Sequence, residues 1–348
     1  MTSAADIRSQ LGELARLPAG HVLGTTRPFV ISQIEEDVFA CLIGDWDPMH
    51  NVPTWQFDSK WQGTIVLGYH VLARVESLLR ECGVLAETDA DVTFLTLGLG
   101  RMRIPSPFPV GAEARAEVTL RAVEIRDDHI LMRTTLTMRS TGSARPTMTV
   151  DHDGVFFFAK PHFDSVFADD CATVISEIPN GAPIAHSNLH DESFYDGVAA
   201  RTGEWLGSTP WTVIEQREAD AFAILTGGFD PLYNDPSWAR THGPFGHSIL
   251  RPLHLLALRA YFLPQVGLPV LSDERMAAYN YGLDQVRWHD DLAPGTPMRD
   301  HVQLLDVTVK GAGNYLVKTR HVLEAKGEER DIFSADCLTY YALRTPSQ

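Results

Sequence analysis

Cysteine is scarce in this chain and never closely spaced: Cys41, Cys82, Cys171 and Cys337 stand apart along 348 residues, with no CxxC among them. That fits reduced thiols in the cytoplasm better than a disulfide framework or a thiolate zinc site. Basic residues are few as well. With 29 Lys and Arg against 45 Asp and Glu the formal charge is −16, and the clustered cations that grip a phosphate backbone are missing, so no nucleic-acid partner is expected. No run of about 18 apolar residues occurs, so no membrane partner is expected. The segment MTSAADIRSQLGELARL lacks the apolar core of a secretory signal. No dinucleotide fingerprint or P-loop is present. The HxxxH pair His186 and His190 lies in a Pro-rich stretch without the Glu of HExxH, so no metal site is expected.

What the chain does have is a copy of itself. Phe39 to Trp55 reads FACLIGDWDPMHNVPTW, and Phe222 to Trp238, 183 positions later, reads FAILTGGFDPLYNDPSW, with nine of seventeen positions identical. Gly98, Leu99, Arg103 and Gly111 recur as Gly282, Leu283, Arg287 and Gly295 at an offset of 184, so one residue has been inserted in between. A period this long is a duplicated domain and not a solenoid. The copies differ in their titratable groups. Asp45 faces Gly228 and His50 faces Tyr233, so the pair able to move a proton exists once.

Spacing of apolar residues places a short helix at 34–44, presenting Val38, Cys41 and Leu42 and ended by Gly44. A Pro-rich ordered loop over 45–60 follows, packed by Trp46, Trp55 and Phe57, then a long apolar helix over 65–82 stopped by Gly83. Alternating strands are expected at 94–104, 113–126, 130–139 and 147–160. Residues 161–210 are polar and aperiodic and read as the connection between copies. The order then repeats: a helix at 214–227, a loop at 228–246, a long helix at 248–263 with Pro252 in its first turn, and strands within 276–343. The expected domains are therefore 1–160, a linker at 161–210, and 211–348.

Asp45 and His50 lie five residues apart across a loop kinked by Pro48, and a carboxylate and an imidazole on one wall can hold a water between them. The run GDWDPMHN, followed by GTIVLGYHVLA, resembles the hydratase-2 motif of the MaoC-like dehydratase family, in which Gly-Asp-x-Asn-Pro-x-His precedes an Ala-His-Gly turn. GLGRMRIPSPFPVG and NYGLDQVRW are similar to that family's strand signature. The resemblance implies an α+β double hot dog, two antiparallel sheets each wrapped around a long central helix. It implies that Asp45 and His50 are catalytic and that the Gly68 N–H points at a thioester carbonyl. Asp47 stands where the family has Asn and reads as a turn residue. Leu67 replaces the His of the turn, and His70 follows one turn later.

In the second copy Gly228, Tyr233 and Pro252 replace all three elements, so one site per chain is expected. Tyr233 and His254, with Trp238 and Phe245, are candidates for lining an acyl pocket, as are Trp46, Asp47 and Leu67 in the first copy. Arg103 and Arg287, kept in both copies, are expected to hold the fold, while Lys60, Arg74 and Arg101 are weaker candidates for coenzyme A phosphates. The implied reaction is reversible hydration of a trans-2-enoyl thioester to an (R)-3-hydroxyacyl thioester, with coenzyme A as part of the substrate and no other cofactor. Thioester hydrolysis on the same fold, or a noncatalytic subunit beside an active partner, are the alternatives, and a homodimer is left open.

Overall fold

The computed structural model describes residues 4–54, 63–84, 91–158, 172–185 and 189–343. Trp55, Phe57, Lys60, Cys171 and His186 lie outside the described residues.

The first unit opens with α1 (Ala4–Leu14), β1 (Val22–Thr25) and β2 (Phe29–Val30). Helix α2 (Gln33–Ile43) starts at a capping box, in which Ser32 and Glu35 satisfy each other's backbone amides, and stops at Gly44 in the left-handed region, φ 70°. Its buried face is Glu36, Phe39, Ala40 and Ile43, whereas Val38 and Cys41 are exposed. Leu42, partly buried, packs against the core, so the expected face is offset from the buried one rather than opposite to it. Pro48 does not prevent a helix but begins one, as N1 of α3 (Pro48–Asn51), because a first-turn residue needs no N–H acceptor.

The expected long helix is two, α4 (Gly68–Ala73) and α5 (Val75–Glu81), broken at Arg74. The second copy breaks at the equivalent Leu258, between α10 (Pro252–Ala257) and α11 (Arg259–Phe262). A break recurring at the same place on different residues belongs to the fold and not to either sequence. The strands of the first unit, β3 (Val92–Arg103), β4 (Glu113–Ile125), β5 (His129–Ser140) and β6 (Met148–Phe158), lie where alternation put them.

The stretch 161–210 is not all linker. Its later part forms α6 (Glu192–Ala199) and β7 (Trp205–Ser208). Strand β7 pairs with β9 (Met298–Val309), and Phe194, Tyr195, Val198 and Leu206 are buried in a cluster with Tyr315 and Tyr341. At the 183 offset β7 is the copy of β1: Leu23, Gly24 and Thr26 recur as Leu206, Gly207 and Thr209. The second unit thus begins well before residue 211. It continues through α7 (Gln216–Thr226), α8 (Pro231–Asn234), α9 (Pro236–Thr241), α10 and α11 to β8 (Met276–Trp288), β9, β10 (Asn314–Ala325) and β11 (Phe333–Leu343).

Among the described residues all eleven strands form one antiparallel sheet, ordered β1-β4-β5-β6-β3-β8-β11-β10-β9-β7 with β2 on β4. The two half-sheets join edge to edge where β3 pairs with its duplicate β8. Glycine permits the crossing. A Cβ on Gly98 would stand 2.7 Å from the Val286 carbonyl, and one on Gly282, at φ 153°, would overlap the Met102 carbonyl. Arg103 donates to the Leu283 carbonyl across the junction at 2.7 Å and Arg287 to the Leu99 carbonyl at 3.3 Å, so the repeated arginines fasten the halves reciprocally.

Beneath the sheet the helices share one core, with Phe39 and its copy Phe222 5.7 Å apart. Among the described residues no helix is long and apolar enough to cross a membrane.

A buried ion pair crosses between the halves: Arg251 Nη1 donates to Glu76 Oε2 at 2.7 Å, with both side chains almost fully enclosed. Removing one partner of such a pair strands the other. Arg251→Met should cost about 3–5 kcal/mol in urea unfolding, and Arg251→Met with Glu76→Leu should recover most of that. A single-variant loss under about 1 kcal/mol would show that the pair does not clamp the halves.

Candidate active site

Both copies hold their motif loop with the same polar network. Gln33 Nε2 donates to Asp37 Oδ1 and to the His50 carbonyl, each at 2.8 Å, Asn51 caps Asp37 at 3.0 Å, and Thr64 donates to Gln33 Oε1. In the second copy Gln216 serves Asp220 and the Tyr233 carbonyl, Asn234 caps Asp220, and Ser248 donates to Gln216. The scaffold survives where the chemistry does not.

In the first copy this scaffold opens onto a cavity of about 450 Å³ lined by Asp45, Asp47, His50, Leu67 and Gly68, and by residues of β8, β11 and α11 from the second half. That size suits a small-molecule site. His50 Nδ1 lies 2.7 Å from the Ile65 carbonyl. A carbonyl only accepts, so the proton is on Nδ1 and Nε2 keeps its lone pair as a base. Asp45 is buried, and loss of hydration pushes its carboxyl up to about 6, with the His50 imidazole opposing that rise. A carboxyl there titrates near neutrality, as proton-transfer groups do.

Asp47 caps α3, accepting from Met49 N at 2.9 Å, and its other oxygen accepts from Ser272 N and Oγ at 2.9 and 2.6 Å. Its copy Asp230 caps α8 in the same way, accepting from Leu232 N at 2.9 Å. The turn role read for Asp47 describes both.

Gly68 is the first residue of α4, where an α-helix leaves its amides without internal acceptors and its dipole favours negative charge. A Cβ there would press on Ile104 and stand 3.1 Å from Asn280 Nδ2, so glycine keeps the amide within reach of the cavity. Leu67 lines the cavity with its side chain, while its N–H is held by the buried Glu36 Oε1 at 2.5 Å. Glu36 Oε2 meets His70 Nδ1 at 2.7 Å, and the His70 ring stacks on Phe39. His70 therefore packs behind the turn and does not line the cavity.

Five expected lining residues, Trp46, Tyr233, Trp238, Phe245 and His254, are elsewhere. Trp46 is 55% exposed and does not line the cavity. A tryptophan on a short loop between two helix caps has no core to enter, and its sequence context does not reveal that. His254 is buried against Phe222 at 4.2 Å, the copy of the His70–Phe39 stack, and burial pulls its pKa down to about 3. Tyr233 packs with Leu232, Trp238 and Phe245 in a separate apolar cluster.

The Arg251 guanidinium lies 4.1 Å over the Tyr233 ring and reaches the space that a side chain at Gly228 would enter. Glu76, held also by Thr96 Oγ1 at 2.7 Å, completes the plug. The second motif is therefore filled by an ion pair, and the second half shapes the cavity through its sheet and α11.

Glu36, Asn280 and Arg259 were not singled out by the sequence. The signal for Glu36 was present: its copy is Ala219, the same kind of asymmetry as Asp45 and Gly228, on the apolar face of α2. Asn280 lines the cavity with both side-chain polar atoms buried and unpartnered, whereas its copy Thr96 is bonded within the plug.

No family model matches the chain. It is 30% identical over 145 residues to 3-hydroxyacyl-thioester dehydratase Z of Mycobacterium tuberculosis, covering 41% of this chain and 93% of that protein. It is 28% identical over 151 residues to nodulation protein N of Rhizobium leguminosarum bv. viciae, covering 43% and 92%. A putative MaoC domain protein dehydratase from Chloroflexus aurantiacus J-10-fl superposes with a TM-score of 0.66 at 11% identity over 94% of this chain and 96% of that one. A conserved hypothetical protein of Mycobacterium tuberculosis with a double hotdog fold gives 0.58 at 15% identity over 94% and 97%. The structural likenesses establish the double hot dog, and the curated relatives carry the kinship: the chain belongs to the MaoC-like dehydratases, a family that hydrates and dehydrates acyl thioesters.

Proposed function

We propose that the cavity reversibly hydrates a trans-2-enoyl thioester to the (R)-3-hydroxyacyl thioester. The carrying observation is the pairing, on one wall, of an imidazole whose Nε2 lone pair is free with a carboxyl raised to about 6. Asp45 orients a water, and His50 Nε2 takes one of its protons as the oxygen bonds C3. The C2–C3 π electrons move toward the thioester carbonyl, whose developing oxyanion accepts from the Gly68 N–H at the start of α4. The enolate then collapses, and the proton held by His50 returns to C2 on the same face. The reverse path removes that C2 proton and hands a proton to the departing hydroxyl. The reaction is redox-neutral. Coenzyme A is the favoured carrier, because a chain of net charge −16 repels an acidic carrier protein.

Loss of absorbance at the enoyl band of crotonyl-CoA tests this. Asp45→Asn and His50→Ala should each lower kcat by about 10²–10⁴-fold. Hydration that survives both substitutions defeats the assignment, and release of free thiol without hydration replaces it with hydrolysis.

The state of Asp45 sets the pH behaviour. Because the active form is the carboxylate, the rate should fall on the acid side with a limb near pH 6, well above the ordinary carboxylate value of 3.8. Stability runs the other way. A carboxyl whose pKa is higher folded than unfolded binds its proton more tightly in the folded state, so wild type should lose stability relative to Asp45→Asn as pH rises from 4 through 6. Parallel pH–rate and urea-unfolding profiles read both. A flat rate between pH 5 and 7 would rule out the raised carboxyl as the working group.

A further inference from the structure

Arg259, the first residue of α11, is 5% exposed and lines the cavity beside Ala260, on the wall built by the second half. Among the described residues no carboxylate forms an ion pair with it. Its Nε donates to His321 Nε2 at 3.2 Å and its Nη2 donates to Thr339 Oγ1. His321 is fixed in turn. Its Nδ1 lies 2.6 Å from Asp300 Oδ2, so the proton is there, and Nε2 offers its lone pair to the guanidinium and to Thr319 Oγ1 at 3.0 Å. The Asp300 carboxylate thus stands one imidazole away from the guanidinium. The Tyr69 hydroxyl lies beside the guanidinium, a neutral neighbour that leaves the charge itself unbalanced.

A buried guanidinium is tolerated when a carboxylate pairs with it, and this one is held by an imidazole and hydroxyls alone. The fold does not need a cation at this place. At the 184 offset the copy of Arg259 is Val75, apolar and fully buried. Had the charge served only to balance Asp300, direct contact would do so; His321 between them instead holds the guanidinium away from Asp300 and at the cavity wall. Asp45 and Asp47 line the same cavity from the first half, so an anion is repelled at the catalytic end and attracted at the Arg259 wall.

We propose that the acyl group of the substrate ends in a carboxylate, which Arg259 binds while the thioester lies at Gly68: the substrate class is the monothioester of an unsaturated dicarboxylic acid. This rests on the hydration reading above, which supplies the thioester end. A guanidinium presents paired donors to a carboxylate, and bonds to charged groups discriminate strongly against a partner that lacks them.

The test compares trans-2-enoyl-CoA substrates of four to six carbons whose acyl end is methyl or carboxylate, on the full chain. Wild type should favour the carboxylate by about 30- to 100-fold in kcat/KM. Arg259→Gln should bring the ratio to one or below, and Arg259→Lys should restore part of it. Because the ratio is taken within each variant, it is insensitive to the amount folded. Calorimetric binding of succinyl-CoA and butyryl-CoA to Asp45→Asn supplies a readout without turnover, and the first should bind at least 10-fold more tightly. Equal or better hydration of the methyl substrates by wild type overturns the inference and leaves the hydration reading standing. If neither class is hydrated, that reading fails alone when succinyl-CoA still binds preferentially, and both fail when it does not.

Discussion

Strand β3 pairs antiparallel with its own duplicate β8, and that pairing makes the molecule a pseudo-dimer whose two halves place equivalent elements in equivalent positions. The glycines at the crossing, the reciprocal arginine bonds to Leu283 and Leu99, and the Phe39–Phe222 contact all follow from that one geometry. Two equivalent clefts result, each walled by the motif loop of one half and by the helix and sheet of the other. What sets the two clefts apart is decided by a few side chains on a shared frame.

Buried charge makes the decision. In the first cleft Glu36 spends both oxygens behind the catalytic turn, on the Leu67 amide and on His70, and leaves the space in front open. In the second, Ala219 offers no carboxylate, the His254 nitrogens go unpartnered, and Arg251 with Glu76 occupies the space a substrate would need. The dehydration cost of that pair is offset by the Tyr233 ring and the Thr96 hydroxyl. One cleft keeps a carboxyl near neutrality, and the other keeps a salt bridge.

Duplication, strands and motif were legible in the sequence because each rests on local pattern: period-two alternation for β3 to β6, a capping residue and glycine for α2, identical residues at a fixed offset for the copies. What escaped depends on distant partners. The fate of Trp46, Tyr233 and His254 is set by which wall they meet, and spacing along the chain does not report it. Arg259 and Asn280 sit in apolar strand and helix patterns where a single polar residue reads as incidental. The split at Arg74 comes from how the helix must bend under the sheet, and a continuous apolar run hides it. Treating 161–210 as a linker failed for a simpler reason, since the similarity of β1 to β7 spans too few residues to stand out without the register that the structure supplies.

The plug in the second cleft draws its two charges from different halves, Arg251 from one and Glu76 from the other. Reopening that cleft would require both halves to change together, because an intermediate with either change alone holds an orphaned ion in the core. With the pair in place each half depends on the other's sequence, and the two halves are not interchangeable units.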